Sequence, residues 1–234
     1  MNCAHCGAAD QSGQVCVNCG NKLEATVNDV GSGPAVVRAI KGFDWQSALR
    51  LYVSALKKPI ATSEQSDRGQ FMIGVIVLAI FAIIVPLMSY FRLLSLPFFD
   101  VSFISVVIMP TFYLLLIQAI VVATTFLYLK LSGSSANFQD ITVRYAVLMM
   151  LPLTLQLIAL IASILRLNLI TLATSSIGMF GMIAAICVVI LGHRGELKEG
   201  RDAFHGILAS LLVILLATSL IGRSIIANFM GSLF

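Results

Sequence analysis

The sequence is poor in charge. Asp, Glu, Lys and Arg make up only 11% of its 234 residues, and 59% are hydrophobic, whereas about a quarter of the residues in a typical soluble domain are charged. An ordinary soluble domain is therefore excluded. The formal net charge of +4 comes from residues in front of and between long apolar runs, as in a membrane protein. It forms no basic stripe of the kind that binds nucleic acid.

Side chains of Asp, Glu, Lys and Arg are missing from the interior of the apolar runs. Asp, Glu and Lys are absent from them, and Arg144, at the edge of one run, belongs with the preceding loop. Charges at membrane depth are costly and are kept for proton relays and ion pathways, so their absence argues against such chemistry. The H-E-x-x-H, G-x-S-x-G, phosphate-loop and dinucleotide-binding motifs are absent too. We predict no catalytic residues, no organic cofactor and no enzymatic activity.

Five apolar runs are long enough to cross a bilayer, which takes about 20 helical residues. They lie at residues 71–91, 101–129, 144–165, 169–192 and 203–222. The runs predict an all-α integral membrane protein with a five-helix transmembrane domain at 71–222. Pro86, Pro110 and Pro152 predict kinks in the first three helices. The three residues from Arg166 to Asn168 leave room only for a tight helical hairpin.

The basic residues predict the orientation. With a cytosolic N-terminus, most Lys and Arg residues fall on the cytosolic side, as the positive-inside rule requires. The cytosolic set is Lys22, Arg38, Lys41, Arg50, Lys57, Lys58, Arg68, Lys130, Arg144, Arg194, Lys198 and Arg201, and the other set is Arg92, Arg166 and Arg223. Five spans then place the C-terminus outside. The first 43 residues contain no apolar segment typical of a secretory signal, so we expect a multi-pass protein of the cell membrane.

Residues 44–59 precede the first span and have helical periodicity. Their apolar positions recur on one stripe, at Trp45, Leu49, Tyr52, Val53 and Leu56. Asp44 can cap the start of this helix, and Pro59 ends it after two lysines. Two interpretations stay open. The helix lies along the inner membrane surface, as amphipathic helices with Trp, Tyr and basic residues do, or its apolar stripe packs on the bundle.

Four cysteines near the N-terminus form two C-x-x-C pairs, each followed by glycine. They are Cys3, Cys6, Cys16 and Cys19. Two such pairs are the ligand set of a zinc ribbon, and four thiolates fill the tetrahedral shell of Zn²⁺ without leaving an open position. We predict one structural zinc ion in a ribbon at residues 1–23, followed by a flexible linker at 24–43. Disulfides are disfavoured because the predicted topology places these cysteines in the reducing cytosol.

The predicted ribbon has few features of a nucleic-acid reader. It carries Lys22 and His5 against Asp10 and Glu24, with no basic stripe and no stacking aromatic residue. His5, between the first two cysteines, is only a weak alternative metal ligand. We therefore expect the ribbon to contact a protein partner.

Few polar side chains remain at membrane depth. Gln118 and Gln156 could line a polar passage, although such residues more often hydrogen-bond between helices. A stripe of small residues lies on one face of the fourth run, at Thr174, Gly178, Gly181 and Ala185. Small side chains favour close helix packing, by default within the chain and otherwise in a homo-oligomer. Cys187 is expected to be a small buried hydrophobe.

Two resemblances rest on these features. The C-x-x-C-G … C-x-x-C-G pattern at residues 3–20 resembles the ribbons that begin many bacterial membrane proteins, in which a linker joins the ribbon to several helices. The layout of residues 44–222, with a preamble ending Leu56-Lys-Lys-Pro59, is similar to that of the Yip family. Members of that family have a cytosolic N-terminus, five spans and an outward C-terminus. The resemblance implies a membrane scaffold or adaptor.

Two hypotheses for the function follow. In the first, the protein is a non-enzymatic membrane scaffold whose ribbon contacts a cytosolic or membrane partner. In the second, it is a small-solute permease or a membrane component of a transport complex that uses Gln118 and Gln156. A continuous polar cavity through the helices would favour the second hypothesis.

Overall fold

The structure is a computed structural model of the chain. It describes residues 44–94, 102–198 and 202–231, with side chains up to residue 219. The four cysteines of the predicted ribbon, Cys3, Cys6, Cys16 and Cys19, lie outside the described residues, and so does the predicted linker at 24–43. The zinc ribbon therefore stays a prediction.

Seven α-helices make up most of the described part of the chain. In chain order they are α1 (Trp45–Lys57), α2 (Pro59–Gln65), α3 (Phe71–Leu94), α4 (Met109–Leu131), α5 (Phe138–Ile164), α6 (Asn168–Gly192) and α7 (Ala203–Gly231). Short helical turns stand at Arg68–Gln70 before α3, at Ile104–Ile108 before α4 and at Arg194–Glu196 after α6. Residues 44–94, 102–198 and 202–231 contain no strand. The all-α prediction is confirmed for these residues.

Four of the helices, α3 to α6, are long and apolar enough to cross a membrane. α7 runs for 29 residues, and its apolar segment with described side chains, Ala203–Ser219, is shorter than the other four. The described chain therefore has four to five helices that could span a membrane. This confirms the prediction of several helices that are long and apolar enough to cross a membrane.

A helix extends beyond its apolar run where a polar cap adds residues to the end of the helix. α5 begins at Phe138 rather than at 144, because the Asn137 and Asp140 side chains form a capping box with each other's backbone. The second run is divided. A π-helical turn at Ile104–Ile108 precedes α4, and Pro110 stands in the first turn of α4, where its missing N–H is tolerated. Pro86 and Pro152 lie inside the unbroken helices α3 and α5.

α5 is the central helix and packs mainly on α3 and α6. α3 and α5 run in the same direction, since Gly74 near the start of α3 packs against Ala146. Near their other ends, the Ser163 hydroxyl donates a hydrogen bond to the Met88 carbonyl over 3.1 Å. α4 packs mainly on α7, with further contacts to α3 and α5.

The small residues of α6 serve packing within the chain. A Cβ added at Gly181 would lie 2.6 Å from Cγ of Pro152, and one at Gly178 would lie 2.9 Å from Nε2 of Gln156. Both distances are shorter than real Cβ contacts, so α5 occupies the space that glycine leaves open. The default interpretation of the small-residue stripe, packing against another helix of the same chain, is confirmed at these two positions.

A tight hairpin joins α5 to α6, as the sequence predicts. The Leu167 N–H donates to the Ala162 carbonyl over 2.8 Å, and the Arg166 N–H donates to the Ser163 carbonyl over 3.0 Å. This is the Schellman pattern that closes a helix. Arg166 occupies the left-handed position of this motif with φ 59°. Glycine is the usual residue at that position.

α1 packs on the bundle with a face that includes Tyr52 of the predicted stripe but otherwise lies beside it. The Asp44 carboxylate caps the helix by accepting from the Gln46 N–H over 2.9 Å, which confirms the predicted start. Leu51 and Ala55 are buried, and the Tyr52 hydroxyl lies 2.6 Å from the Thr154 hydroxyl on α5. This packing face lies next to the side of the helix that carries Trp45.

The other flank of α1 is exposed. Trp45 is 73% exposed, Leu49 64% and Val53 42%, and these three residues lie four positions apart on one side of the helix. α1 therefore has two apolar flanks, of which α5 covers one. The two interpretations left open by the sequence are compatible, because packing on the bundle leaves a second flank for the membrane surface.

Candidate functional site

The described part of the chain contains a polar cavity of about 640 Å³ at the end of the bundle that carries residues 132–137 and 193–198. We call this end the loop end. Three separate segments line the cavity: the connection from α2 to α3, the start of α5 with the loop before it, and the turn after α6. The lining residues are Ser66, Asp67, Arg68, Gly69, Ser135, Ala136, Asp140, Arg144, His193 and Glu196.

A two-point ion pair joins the first two segments. Nε of Arg68 donates to Oδ1 of Asp140 over 2.8 Å, and Nη2 donates to Oδ2 over 3.1 Å. Asp140 also accepts from the Asn137 N–H over 3.3 Å as part of the cap of α5. The carboxylate of Asp140 is thus occupied by a guanidinium and by the helix cap. This arrangement fixes the chain just before α3 against the first turn of α5.

Glu196 joins the second segment to the third. Its Oε2 accepts hydrogen bonds from the Ser134 hydroxyl and from the Ser135 N–H, the latter over 3.3 Å. The Ser134 hydrogen bond, more than any other group, holds the pKa of Glu196 below its ordinary value, against the opposing effect of partial burial. The turn after α6 is therefore tied to the loop between α4 and α5 through an ionised carboxylate.

The backbone of the α4–α5 loop explains why Ser134 reaches Glu196. Gly133 adopts φ +93°, a left-handed conformation that closes α4, and the Ser134 N–H donates to the Leu129 carbonyl over 3.0 Å. The Lys198 N–H then donates to the Ser132 carbonyl over 3.0 Å. The two loops are joined by backbone as well as by side chains.

His193 lies behind the cavity and orients Arg144. The imidazole is 2% exposed, with Nδ1 2.9 Å from the Val189 carbonyl and Nε2 3.3 Å from Nη1 of Arg144. A carbonyl can only accept, so Nδ1 carries the proton and Nε2 accepts from the guanidinium. Arg144 is thus held by a ring nitrogen. Within residues 44–94, 102–198 and 202–219, no carboxylate hydrogen-bonds to it.

The two glutamines lie away from this cavity. Gln156 is fully buried, and its Nε2 donates to the Ser175 carbonyl on α6 over 3.1 Å. This is the interhelical hydrogen bond that the sequence favours for such a residue. Gln118 is 2% exposed on α4, and neither polar atom of its amide has a partner in the part of the chain that the structure describes.

A metal site is not shown by the described residues. They contain no group of three or more His, Cys, Asp or Glu side chains that could hold a metal ion, and the four predicted zinc ligands lie outside them. The free thiol of Cys187 is half-buried on α6. A second, apolar groove of about 860 Å³ lies between α6 and α7 and is lined by residues such as Phe180 and Leu212.

Sequence reasoning did not find the cavity, although one signal for it was present. Arg68, Arg144 and Arg194 all belong to the predicted cytosolic set, and His193 and Glu196 lie within two residues of Arg194. Every second loop of a bundle of membrane-spanning helices lies on the same side of the membrane. These loops therefore come together at one end of the bundle. The pairing of Arg68 with Asp140 depends on the neighbouring positions of α3 and α5, which no local pattern reveals.

The comparisons with known proteins give a relative but no function. No family model matches the chain. The chain is 26% identical, over 237 residues, to the uncharacterized protein YvbI of Bacillus subtilis (strain 168), and the alignment covers 100% of this chain and 98% of the relative. No solved structure matches the chain. The similarity extends along the whole length of both proteins and assigns no activity.

Proposed function

We propose that the protein is a non-enzymatic integral membrane scaffold or adaptor whose N-terminal zinc ribbon contacts a protein partner. The observation that carries this proposal is the polar network at the loop end. There, the ion pair of Arg68 with Asp140 and the hydrogen bonds of Glu196 tie three connecting segments into one surface. Such a surface suits a protein that holds other proteins at the membrane. The resemblance to the Yip family supports the same class of function.

The proposed topology has a cytosolic N-terminus, five spans and an outside C-terminus. The excess of Lys and Arg on one set of loops supports it. Single cysteines at Gly195 and Asn168, in a chain without native cysteines, test it in intact cells. A membrane-impermeant maleimide should label the Asn168→Cys protein and not the Gly195→Cys protein until the cells are permeabilised. Equal labelling of both before permeabilisation contradicts the topology.

The ribbon is proposed to hold one zinc ion through Cys3, Cys6, Cys16 and Cys19. Structural zinc contributes about 10–16 kcal/mol of apparent binding energy in finger-sized domains, so a ribbon of this size depends on its metal. Metal analysis of the purified protein should find one zinc per chain, and none after Cys3→Ser with Cys6→Ser. Cys187→Ser is the matched control and should keep the zinc. Protein purified without stoichiometric zinc contradicts the proposal.

Partner binding is tested by crosslinking in native membranes followed by mass spectrometry. Proteins recovered with the full chain should be lost when residues 1–23 are deleted and when Cys3 and Cys6 are replaced by serine. They should be retained with Cys187→Ser. The same partners recovered without the ribbon would show that the ribbon is not the contact surface. A thermal unfolding measurement on each variant checks that the helices are intact.

A small-solute permease is the second candidate, because the buried amide of Gln118 has no partner among the described residues. An unsatisfied buried amide costs about 1–3 kcal/mol, which a passing polar solute or water could offset. Proteoliposomes containing the protein should then be more permeable to urea and glycerol than empty liposomes, and Gln118→Leu should abolish the difference. Gln156→Leu is the comparison variant and should have the smaller effect, since Nε2 of Gln156 already donates to Ser175 and only its Oε1 lacks a partner among the described residues. Equal permeability with and without protein removes this candidate for those solutes.

A further inference from the structure

The cavity at the loop end contains charged groups of both signs that are not neutralised equally. Asp140 and Glu196 are occupied by Arg68 and by serine donors. Arg144 is half-buried in the cavity wall, and one of its five N–H donors reaches His193. Asp67 is exposed in the same wall, and its carboxylate has no hydrogen bond or ion pair to the described residues. Arg144 also attracts the Asp140 carboxylate without hydrogen-bonding to it. The remaining donors of Arg144 and the carboxylate of Asp67 are thus both available to a ligand.

The guanidinium of Arg144 is oriented to bind an anion. Its neighbour His193 is 2% exposed, so packing holds the imidazole in place, and the imidazole in turn orients the guanidinium that it contacts. A guanidinium that contacts a ring nitrogen and no carboxylate through hydrogen bonds keeps its remaining donors, which match the oxygens of a phosphate group. This is the feature of the cavity that the scaffold function does not use.

The charge of the wall argues against a purely anionic ligand. Arg68 and Arg144 face the three carboxylates of Asp67, Asp140 and Glu196, so the wall carries charges of both signs and carboxylates outnumber guanidinium groups. A ligand with only negative charge would meet this excess, and one with only positive charge would meet Arg144. A ligand that carries both charges can place its negative group against Arg144 and its positive group against a carboxylate.

The position of the cavity relative to the helices favours a molecule at the membrane surface. Arg68 lies just before α3, Asp140 and Arg144 lie in the first two turns of α5, and His193 follows the last residue of α6. These are the points where the apolar helices end. In a bilayer they lie at the level of the lipid headgroups, outside the hydrocarbon core of about 30 Å.

We propose that the cavity binds a phosphate ester that also carries a primary ammonium group. Phosphatidylethanolamine in the adjacent leaflet and free phosphoethanolamine share this chemistry. The phosphate accepts from Arg144, and the ammonium donates to Asp67. A primary ammonium has N–H donors for a carboxylate, whereas the trimethylammonium of phosphatidylcholine has none, so the two zwitterionic lipids should be distinguished.

Thermal unfolding of the full chain in lipid nanodiscs tests the lipid. We expect phosphatidylethanolamine in a phosphatidylcholine bilayer to raise Tm by about 2–4 °C. Phosphatidylglycerol, an anionic lipid without the amine, should leave Tm unchanged. Asp67→Asn and Arg144→Gln should each remove the rise. Arg194→Gln, an exposed arginine of the next turn that does not line the cavity, is the matched control and should keep it.

A second measurement separates the two sources of the ligand. Free phosphoethanolamine is added to the protein in detergent without phosphatidylethanolamine. A rise in Tm only with the free compound identifies a soluble ligand, and a rise only with the lipid identifies the headgroup. Both results support the proposal if Asp67→Asn removes them.

Three results overturn the proposal. The first is that neither compound raises Tm of the wild-type protein. The second is an equal rise with phosphatidylglycerol, which would mean that the ammonium is not recognised. The third is an undiminished rise in Asp67→Asn. This last variant decides the question even if Arg144→Gln fails to fold, because the exposed Asp67 side chain has no structural partner among the described residues.

Discussion

Replacing Gly181 by alanine tests the contact that fixes α6 against α5. The added Cβ would lie 2.6 Å from Cγ of Pro152, whereas ordinary van der Waals contact begins at 3.4 Å. The proline ring cannot rotate away, so the helices must separate. Overpacking of this kind costs about 1–3 kcal/mol. We expect a destabilisation in the upper half of that range. The higher helix propensity of alanine offsets up to about 1 kcal/mol of it.

Gly192→Ala is the matched control, because it makes the same chemical change at the end of the same helix. There the nearest atom, Nη1 of Arg144, is 3.9 Å from the added Cβ. The Gly181→Ala protein should be about 2 kcal/mol less stable than the Gly192→Ala protein, which corresponds to a Tm lower by about 4–8 °C. Thermal unfolding in one detergent, followed as loss of the monodisperse peak in size-exclusion chromatography, measures the difference. Equal Tm values would show that α6 does not rest on Pro152 and would refute the packing described here.

Three further predictions concern the turns and the loop end. Arg166→Gly should raise stability by about 1 kcal/mol, because a non-glycine residue at φ 59° is strained, and urea-dependent unfolding of the α5–α6 hairpin measures it. Gly206→Ala should lower Tm and Gly195→Ala should not, since an added Cβ meets the Tyr128 ring at 2.1 Å in the first case and nothing within 4 Å in the second. The lowered pKa of Glu196 means that its ionised form stabilises the fold above the ordinary carboxyl pKa of about 4.3. That contribution should be lost as the pH falls through the lowered value, and a Tm–pH series should show the loss in the wild type and not in Glu196→Gln.

The sequence predicted the number and order of the long helices because each requires only a local property, a sustained apolar run. The fourth run, 169–192, agrees with α6 at Asn168–Gly192 to within one residue. The start of α5 was missed by six residues because its first turn is polar and capped by Asn137 and Asp140. An apolar-run criterion does not detect a helix that begins in water and continues into the membrane.

The packing face of α1 could not be predicted for a different reason. Its sequence has apolar residues on two flanks, and periodicity alone does not say which flank a neighbour covers. The flank with Leu51 and Ala55 is the one that packs on the bundle. On this side of α1 the Tyr52 hydroxyl contacts the Thr154 hydroxyl of α5, 102 positions away in the sequence. The cavity is non-local in the same way, since Arg68 and Asp140 are 72 positions apart. The zinc ligands remain a prediction because they lie outside the described residues.

The parallel pairing of α3 with α5 has a consequence for how the protein is made. α3 packs mainly on α5 and less on α4, the helix that follows it in the chain. If these helices span a membrane, a growing chain inserts α3 before its main partner has been synthesised, and the Gly74 side of α3 lacks Ala146 until α5 follows α4. α5 and α6, joined by three residues, can enter as a pair. Membrane insertion of α3 thus depends on its own apolar length, and the bundle closes only when α5 arrives.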